Sequence, residues 1–400
     1  MRWRGMRVGE WVDVPLGEVA EISWGDTKTT KASYTPTGWP AYSASGADGY
    51  LPYFDHDQAG VVVSAIGALC GKTWLATGRW SCIKNTIWMR GNAARADTAF
   101  LFHATRRPDF WPRRGAAQPF ISLGDARSTT VALPPFEHQR RIAAVLSAFD
   151  ELIEINERRI ELLEDLARSL YREWFVHFRF PGHEDVELVD SELGPIPEGW
   201  TLARLDDFAE VVVEGVDPSD LPPESHYVGL EHLPRRRTTL REWGSVESVS
   251  SRKLLVSRGD TLFGKIRPYF HKVAWAPFTG AASSDTIVLR AFPDHGLTAF
   301  VNTVTSSDEL VAQAVATSNG TKMPRADPKA LLAYQLSVPG EDLLLEFERT
   351  VRRWIEWSAE LVHENRQLAT TRDLLLPRLV TGRLDISDVD LGILTPAEVE

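Results

Sequence analysis

The sequence predicts a mixed α/β fold in which two similar globular parts are separated by two long antiparallel helices, the whole forming a pseudo-twofold internal repeat. Three observations point there. Residues recur in order at spacings near 200, short β-rich runs occupy matching places in the two copies, and each copy closes on a long apolar stripe with helical periodicity.

The repeat organises everything else. Trp11, Leu16, Ala20 and Glu21 return as Trp200, Leu205, Ala209 and Glu210 at a spacing of 189. Thr86-Ile87, Arg90 and Ala99-Phe100 return as Thr286-Ile287, Arg290 and Ala299-Phe300 at 200, and Pro119 and Pro134 as Pro324 and Pro339 at 205. The spacing grows in steps, as it does when loops lengthen in one copy.

Strands are predicted at Val61–Ile66 and Thr86–Met89 in the first copy, and at Thr261–Phe263 and Thr286–Leu289 in the second. These are short β-branched runs with Gly/Pro-rich loops between them.

The helices follow. After Pro134-Pro135, Ile142, Leu146, Phe149, Ile153, Ile160, Leu163, Ala167, Leu170 and Trp174 alternate steps of three and four, with Asn156 in the one polar slot. At ~1.5 Å per residue, ~40 helical residues measure about 60 Å. A weaker stripe runs through Phe347, Val351, Trp354, Leu361, Leu368, Leu375 and Leu379, with Ser358, Asn365 and Arg372 between; Pro377 is expected to kink or end it. Sustained three-four spacing reads as a coiled-coil seam in which a lone Asn fixes register. Packing of each helix on its own globular part stays open as the alternative.

The boundaries drawn are 1–135 for the first globular part, 136–180 for the first long helix and 181–199 for an acidic linker. The second part is 200–339, the second long helix 340–384 and an acidic tail 385–400.

Net charge is -11, which on its face disfavours a nucleic-acid partner. Divided along the chain it does not: the linker carries six acidic and no basic residues, and the tail five and none. The rest is neutral to mildly basic, with 15 basic and 11 acidic residues over 1–135, so a DNA-facing surface is permitted.

Two cysteines, Cys70 and Cys82, are too few for a disulfide framework and lack a metal-ligand context. Met1–Gly5 opens no signal peptide, and no stretch approaches the ~18 apolar residues of a membrane span. A cytoplasmic protein with no membrane contact is the expectation.

Several runs are specific in combination. Leu133-Pro134-Pro135-Phe136-Glu137-His138-Gln139-Arg140-Arg141-Ile142 enters the first long helix, and Leu170-Tyr171-Arg172-Glu173-Trp174-Phe175 leaves it. Glu192-Leu193-Gly194-Pro195-Ile196-Pro197-Glu198-Gly199-Trp200 bridges to the second part, which contains Gly259-Asp260-Thr261-Leu262-Phe263-Gly264-Lys265-Ile266-Arg267-Pro268 and Gly320-Thr321-Lys322-Met323-Pro324-Arg325. Over nearly its whole length the chain resembles the specificity subunits of type I restriction-modification systems. The second helix entry, Pro339-Gly340-Glu341-Asp342, departs from the first, lacking its Pro-Pro and Gln.

The resemblance implies two target-recognition domains, each reading half of a split site on double-stranded DNA. It implies two modification (methyltransferase) subunits docked on the helices and motor-nuclease restriction subunits beyond them, with all catalysis in those partners. The chain itself is then not an enzyme and needs no cofactor.

Base edges are read by side chains that donate or accept, while Lys and Arg on phosphates supply affinity. The first part offers Lys28, Lys31, Lys72, Arg79, Lys84, Asn85, Arg113 and Arg114. The second offers Lys265, Arg267, Tyr269, Lys272, Lys322 and Arg325. The run Arg235-Arg236-Arg237 is basic too, although charge runs are commonly only solvated.

Enzyme readings fail on chemistry. Gly67-Ala68-Leu69-Cys70-Gly71-Lys72-Thr73 has three residues between glycines where a phosphate-binding loop needs four. Leu133 stands where the Pro-Pro-aromatic motif of amino methyltransferases needs a side chain that accepts from the target amine. The histidines lack ligand spacing or a nucleophile context. The remaining alternative is a structural adaptor that uses the helices to bind other proteins and reads no DNA.

Overall fold

The β-branched run Val61–Val63 forms the centre of a strand, Gly60–Ser64, buried along its whole length. The structure, a computed structural model, describes residues 11–320 and 322–386. Met1–Gly5, Thr321 of the Gly320–Arg325 run and all but the first two residues of the acidic tail lie outside them.

Two compact units form, one from residues up to 153 together with those from 366, the other from residues 154–365. Each long helix contributes to both.

In the first unit Gly60–Ser64 lies in a four-stranded antiparallel sheet of order Ala20–Trp24, Thr86–Gly91, Gly60–Ser64, Thr73–Ala76. The second unit repeats the order with Ala209–Val211, Thr286–Ala291, Thr261–Gly264 and Val273–Trp275. Register repeats as well: Ile22 faces Met89 as Val211 faces Leu289, and Val63 faces Ile87 as Phe263 faces Ile287. These pairs carry the offsets of 189 and 200 seen in the sequence. A helix follows in each unit, Thr98–Thr105 and Thr298–Thr305.

The increments of spacing have structural causes. Between Ala20–Trp24 and Thr86–Gly91 the first unit adds a three-stranded outer sheet, and between Ala209–Val211 and Thr286–Ala291 the second adds a five-stranded one. Between Thr305 and Pro324 the second unit inserts the helix Asp308–Ala316.

The first long helix spans Phe136–Tyr171 and the second Glu341–Leu379. Pro377 ends neither turn nor helix at once: the helix runs two residues further, and the Pro377 carbonyl accepts from Thr381 Oγ1 at 2.6 Å. So near a C-terminus the missing N–H leaves only one ladder bond unmade.

Both predicted stripes are the buried faces. In the first unit Ile142 and Leu146 join Leu376 and Leu379 in the core beneath the sheet. Asp150 there accepts from Arg372 at 2.5 Å and Arg106 at 2.6 Å. In the second unit Ile160 and Leu163 pack with Leu361 and Val362, and the Trp174 and Phe347 rings lie 5.9 Å apart.

Long-helix side chains also hold the globular parts. Gln139 is buried, accepts from the Asp97 N–H at 2.9 Å and donates to the carbonyls of Arg95 and Pro134. Glu348, 209 residues on, accepts from the N–H groups of Ala299 (3.1 Å) and Phe300 (2.8 Å). It thereby caps a helix whose own N-cap, Leu297, has no capping side chain. No helix among the described residues is long and apolar enough to cross a membrane.

Candidate nucleic-acid interface

At one end of each four-stranded sheet three loops are zipped together by backbone hydrogen bonds. In the first unit the Ala65 N–H donates to the Asn85 carbonyl (3.0 Å), Gly67 to Pro119 (2.9 Å) and Ile121 to Ala65 (2.9 Å). Arg114 and Phe120 exchange both their backbone bonds. In the second unit Lys265 donates to Asp285 (2.9 Å), Arg267 to Pro324 (2.7 Å) and Ala326 to Lys265 (2.9 Å), while Asn319 and Arg325 exchange both. The ladder is the same, offset by 200 in the first two loops and 205 in the third.

These loops gather many of the candidates. Around the first ladder stand Lys72, Lys84, Asn85, Arg113 and Arg114, with Asn85 in the left-handed region at φ 71°. Lys28 lies in the adjoining loop, whose Thr29 carbonyl accepts from the Lys84 N–H. Arg114 is tied to Asp125 at 2.5 Å, and Arg113 donates to the Pro108 carbonyl at 2.8 Å. Lys31, in the turn Lys31–Ser33, and Arg79, in the loop before the strand Ser81–Cys82, lie beside the outer sheet instead. Lys31 pairs with Asp48 at 2.5 Å, and Arg79 lies against the exposed rings of Trp39 and Phe54, 5.0 and 4.8 Å from their centroids.

Around the second ladder stand Lys265, Arg267, Tyr269, Lys322 and Arg325, all but Lys265 well exposed. Arg267 holds a left-handed φ of 53°, strained for a side-chain residue. Its counterpart is Gly67, which adopts φ 94° without that cost. Lys272 turns inward: its ammonium donates to the Leu230 carbonyl, and burial, with Arg235 nearby, holds its pKa below the usual lysine range.

The arginine run proves mostly structural. Arg237 pairs with Asp165 at 2.8 Å, and beside it the buried Glu164 accepts from the N–H groups of Thr238 (2.9 Å) and Thr239 (2.7 Å). Arg235 lies 4.1 Å over the Phe270 ring.

Sequence reasoning passed over Phe120, Asp285 and Asn319. The Pro119/Pro324 offset, carried one residue further, sets Phe120 against Arg325 and was the available signal. The glycine-bounded 67–73 segment leads into the strand Thr73–Ala76, so no helix N-terminus faces it.

Comparison with known proteins fits this geometry. A family model described as the type I restriction modification DNA specificity domain matches residues 9–165. The EcoDI type I restriction enzyme specificity subunit of Escherichia coli is 23% identical over 94% of this chain and 89% of its own length. The chain is similar to the type I restriction specificity subunits. The MjaIX specificity subunit of Methanocaldococcus jannaschii is also 23% identical, over 69% of this chain and 65% of its own. The fold is shared too: the type I S subunit from M. genitalium superposes with a TM-score of 0.64 at 13% identity, covering 96% of this chain and 98% of that one.

Proposed function

We propose that this chain is the sequence-reading subunit of a type I restriction-modification complex and catalyses no step itself. Each zipped loop face reads one half of a split site on duplex DNA. The observation that carries this is the recurrence of one hydrogen-bond ladder, rimmed by basic and amide side chains, in two units to each of which both long helices contribute. A repeated reader needs two short stretches of DNA rather than one.

The long helices are proposed to pair as an antiparallel coiled coil that spaces the two readers. The contact of Asn156 with Asn365 and that of Trp174 with Phe347 within one unit support opposite chain directions. The domain limits follow the boundaries drawn from the sequence: recognition domains at 1–135 and 200–339, helices at 136–180 and 340–384. The candidate side chains on the two faces are proposed as DNA contacts, and Lys31, Arg79 and Lys272 as contributors through packing.

Partners are proposed to be double-stranded DNA, two modification subunits and the motor-nuclease subunits. Beside its buried seam, the first long helix exposes Ile155, Leu162 and Leu166, the last two at 63% and 50%. Spaced by seven and then four residues, they lie along one side of the helix, and such an apolar face suits a partner helix.

The test is binding of labelled duplex by the chain co-purified with its modification subunit, at several salt concentrations. Affinity should fall with log-log slope of about -0.9 per phosphate neutralised. Absent or salt-insensitive binding favours a protein-binding adaptor instead.

A further inference from the structure

We propose that one pair of positions on each ladder reads a base pair, and that the two pairs read opposite kinds: Asp285 with Arg325 a G·C pair, Asn85 with Phe120 an A·T pair. This assignment rests on the DNA-reading function proposed above. The ladder makes the positions equivalent, because 85 and 285 accept from the residue that follows the central strand, Ala65 or Lys265, and 120 and 325 occupy the same bridged site in the third loop.

All four side chains face outward. Phe120 is 40% exposed beside the fully buried Ile121, an unfavourable place for a ring with nothing to cover it. Arg325 is half-exposed with Asp285 at 3.8 Å, beyond direct hydrogen-bond distance. An arginine with a framework duty looks different here: Arg290, largely buried, grips the buried Asp260 at 2.7 Å. Arg325 keeps its donor fork available, with a carboxylate close enough to orient it.

Charge separates base reading from phosphate binding. A carboxylate at 3.8 Å would repel a phosphate brought to Arg325, and a phenyl ring offers a phosphate nothing. In the major groove both are useful. The guanidinium fork matches guanine O6 and N7, and a carboxylate accepts from the cytosine amino group. An amide pairs with adenine N6 and N7, and an apolar ring packs on the thymine methyl. The ladder thus carries one complementary set per unit.

The experiment is genome-wide mapping of methylated positions in cells expressing the complex with Arg325→Ala, Arg325→Lys or Asn85→Gly. Glycine keeps the left-handed backbone that Asn85 adopts while deleting its amide. Arg325→Ala should relax one G·C position of one half-site, lowering discrimination on the order of 10- to 100-fold, and leave the other half-site intact. Asn85→Gly should relax one A·T position of the other half-site.

Arg325→Lys keeps the charge but loses the fork, so it should bind with near wild-type affinity and lose the same discrimination. An unchanged motif in Arg325→Lys and Asn85→Gly overturns the assignment, as does relaxation at the other type of pair. Thermal unfolding of each variant complex identifies a folding failure in one, and the other variants then decide. A wild-type complex that methylates no split motif sinks the underlying function, and that result needs no variant.

Discussion

Asn156 donates its side-chain amide to the side-chain carbonyl of Asn365 at 3.0 Å, and the two stand 209 residues apart, at matching places in the two long helices. Both are buried next to the apolar contacts of Ile160 and Leu163 with Leu361 and Val362. Asn156→Ala leaves a buried amide without this partner and should cost about 1–3 kcal/mol. Asn156→Leu with Asn365→Leu should recover most of that loss while loosening register. Chemical denaturation of both single variants and the double checks this, and strict additivity contradicts it.

His103 gives a pH dependence. It is buried on the Thr98–Thr105 helix, with Nε2 3.1 Å from Ser147 Oγ, and burial pushes its pKa down to about 3, partly opposed by Asp150. The folded value lies below the unfolded one, ~6.5. Its stabilising contribution is therefore complete above about pH 6.5 and is lost as pH falls toward 3, at up to ~1.4 kcal/mol per pH unit. Denaturant titrations between pH 6.5 and 5, where few carboxylates titrate, should show the slope in the wild type and not in His103→Gln.

Leu162→Gln combined with Leu166→Gln removes exposed apolar surface from the first long helix. Unfolding free energy should stay within the scatter of surface substitutions, about ±0.5 kcal/mol. Co-purification of the modification subunit should fall at least tenfold. Retained co-purification places docking elsewhere.

Lys265→Ala should weaken binding to every duplex alike and reduce the salt slope by about 1. Affinity equal to wild type at two salt concentrations removes Lys265 from the phosphate contacts.

Much of this was legible in the sequence because periodicity and repetition are local or translational signals. The offsets of 189, 200 and 205 were strand register written out in advance, and the helical stripes were the buried faces. What stayed hidden needed the fold. Glu164 holds the N–H groups of Thr238 and Thr239 across more than 70 residues, and no local pattern announces that. Glu348 and Gln139 read as helix-surface residues until each is seen holding a second element. Lys272 and Arg325 are both basic candidates in the sequence of the second part, yet one is turned into its own unit and the other faces out.

Genome-wide mapping of methylated bases with the unaltered complex tests the central claim most directly. Two reading faces on one chain predict two short specified blocks separated by a constant number of unspecified base pairs. One uninterrupted motif, or blocks whose separation varies, would contradict it.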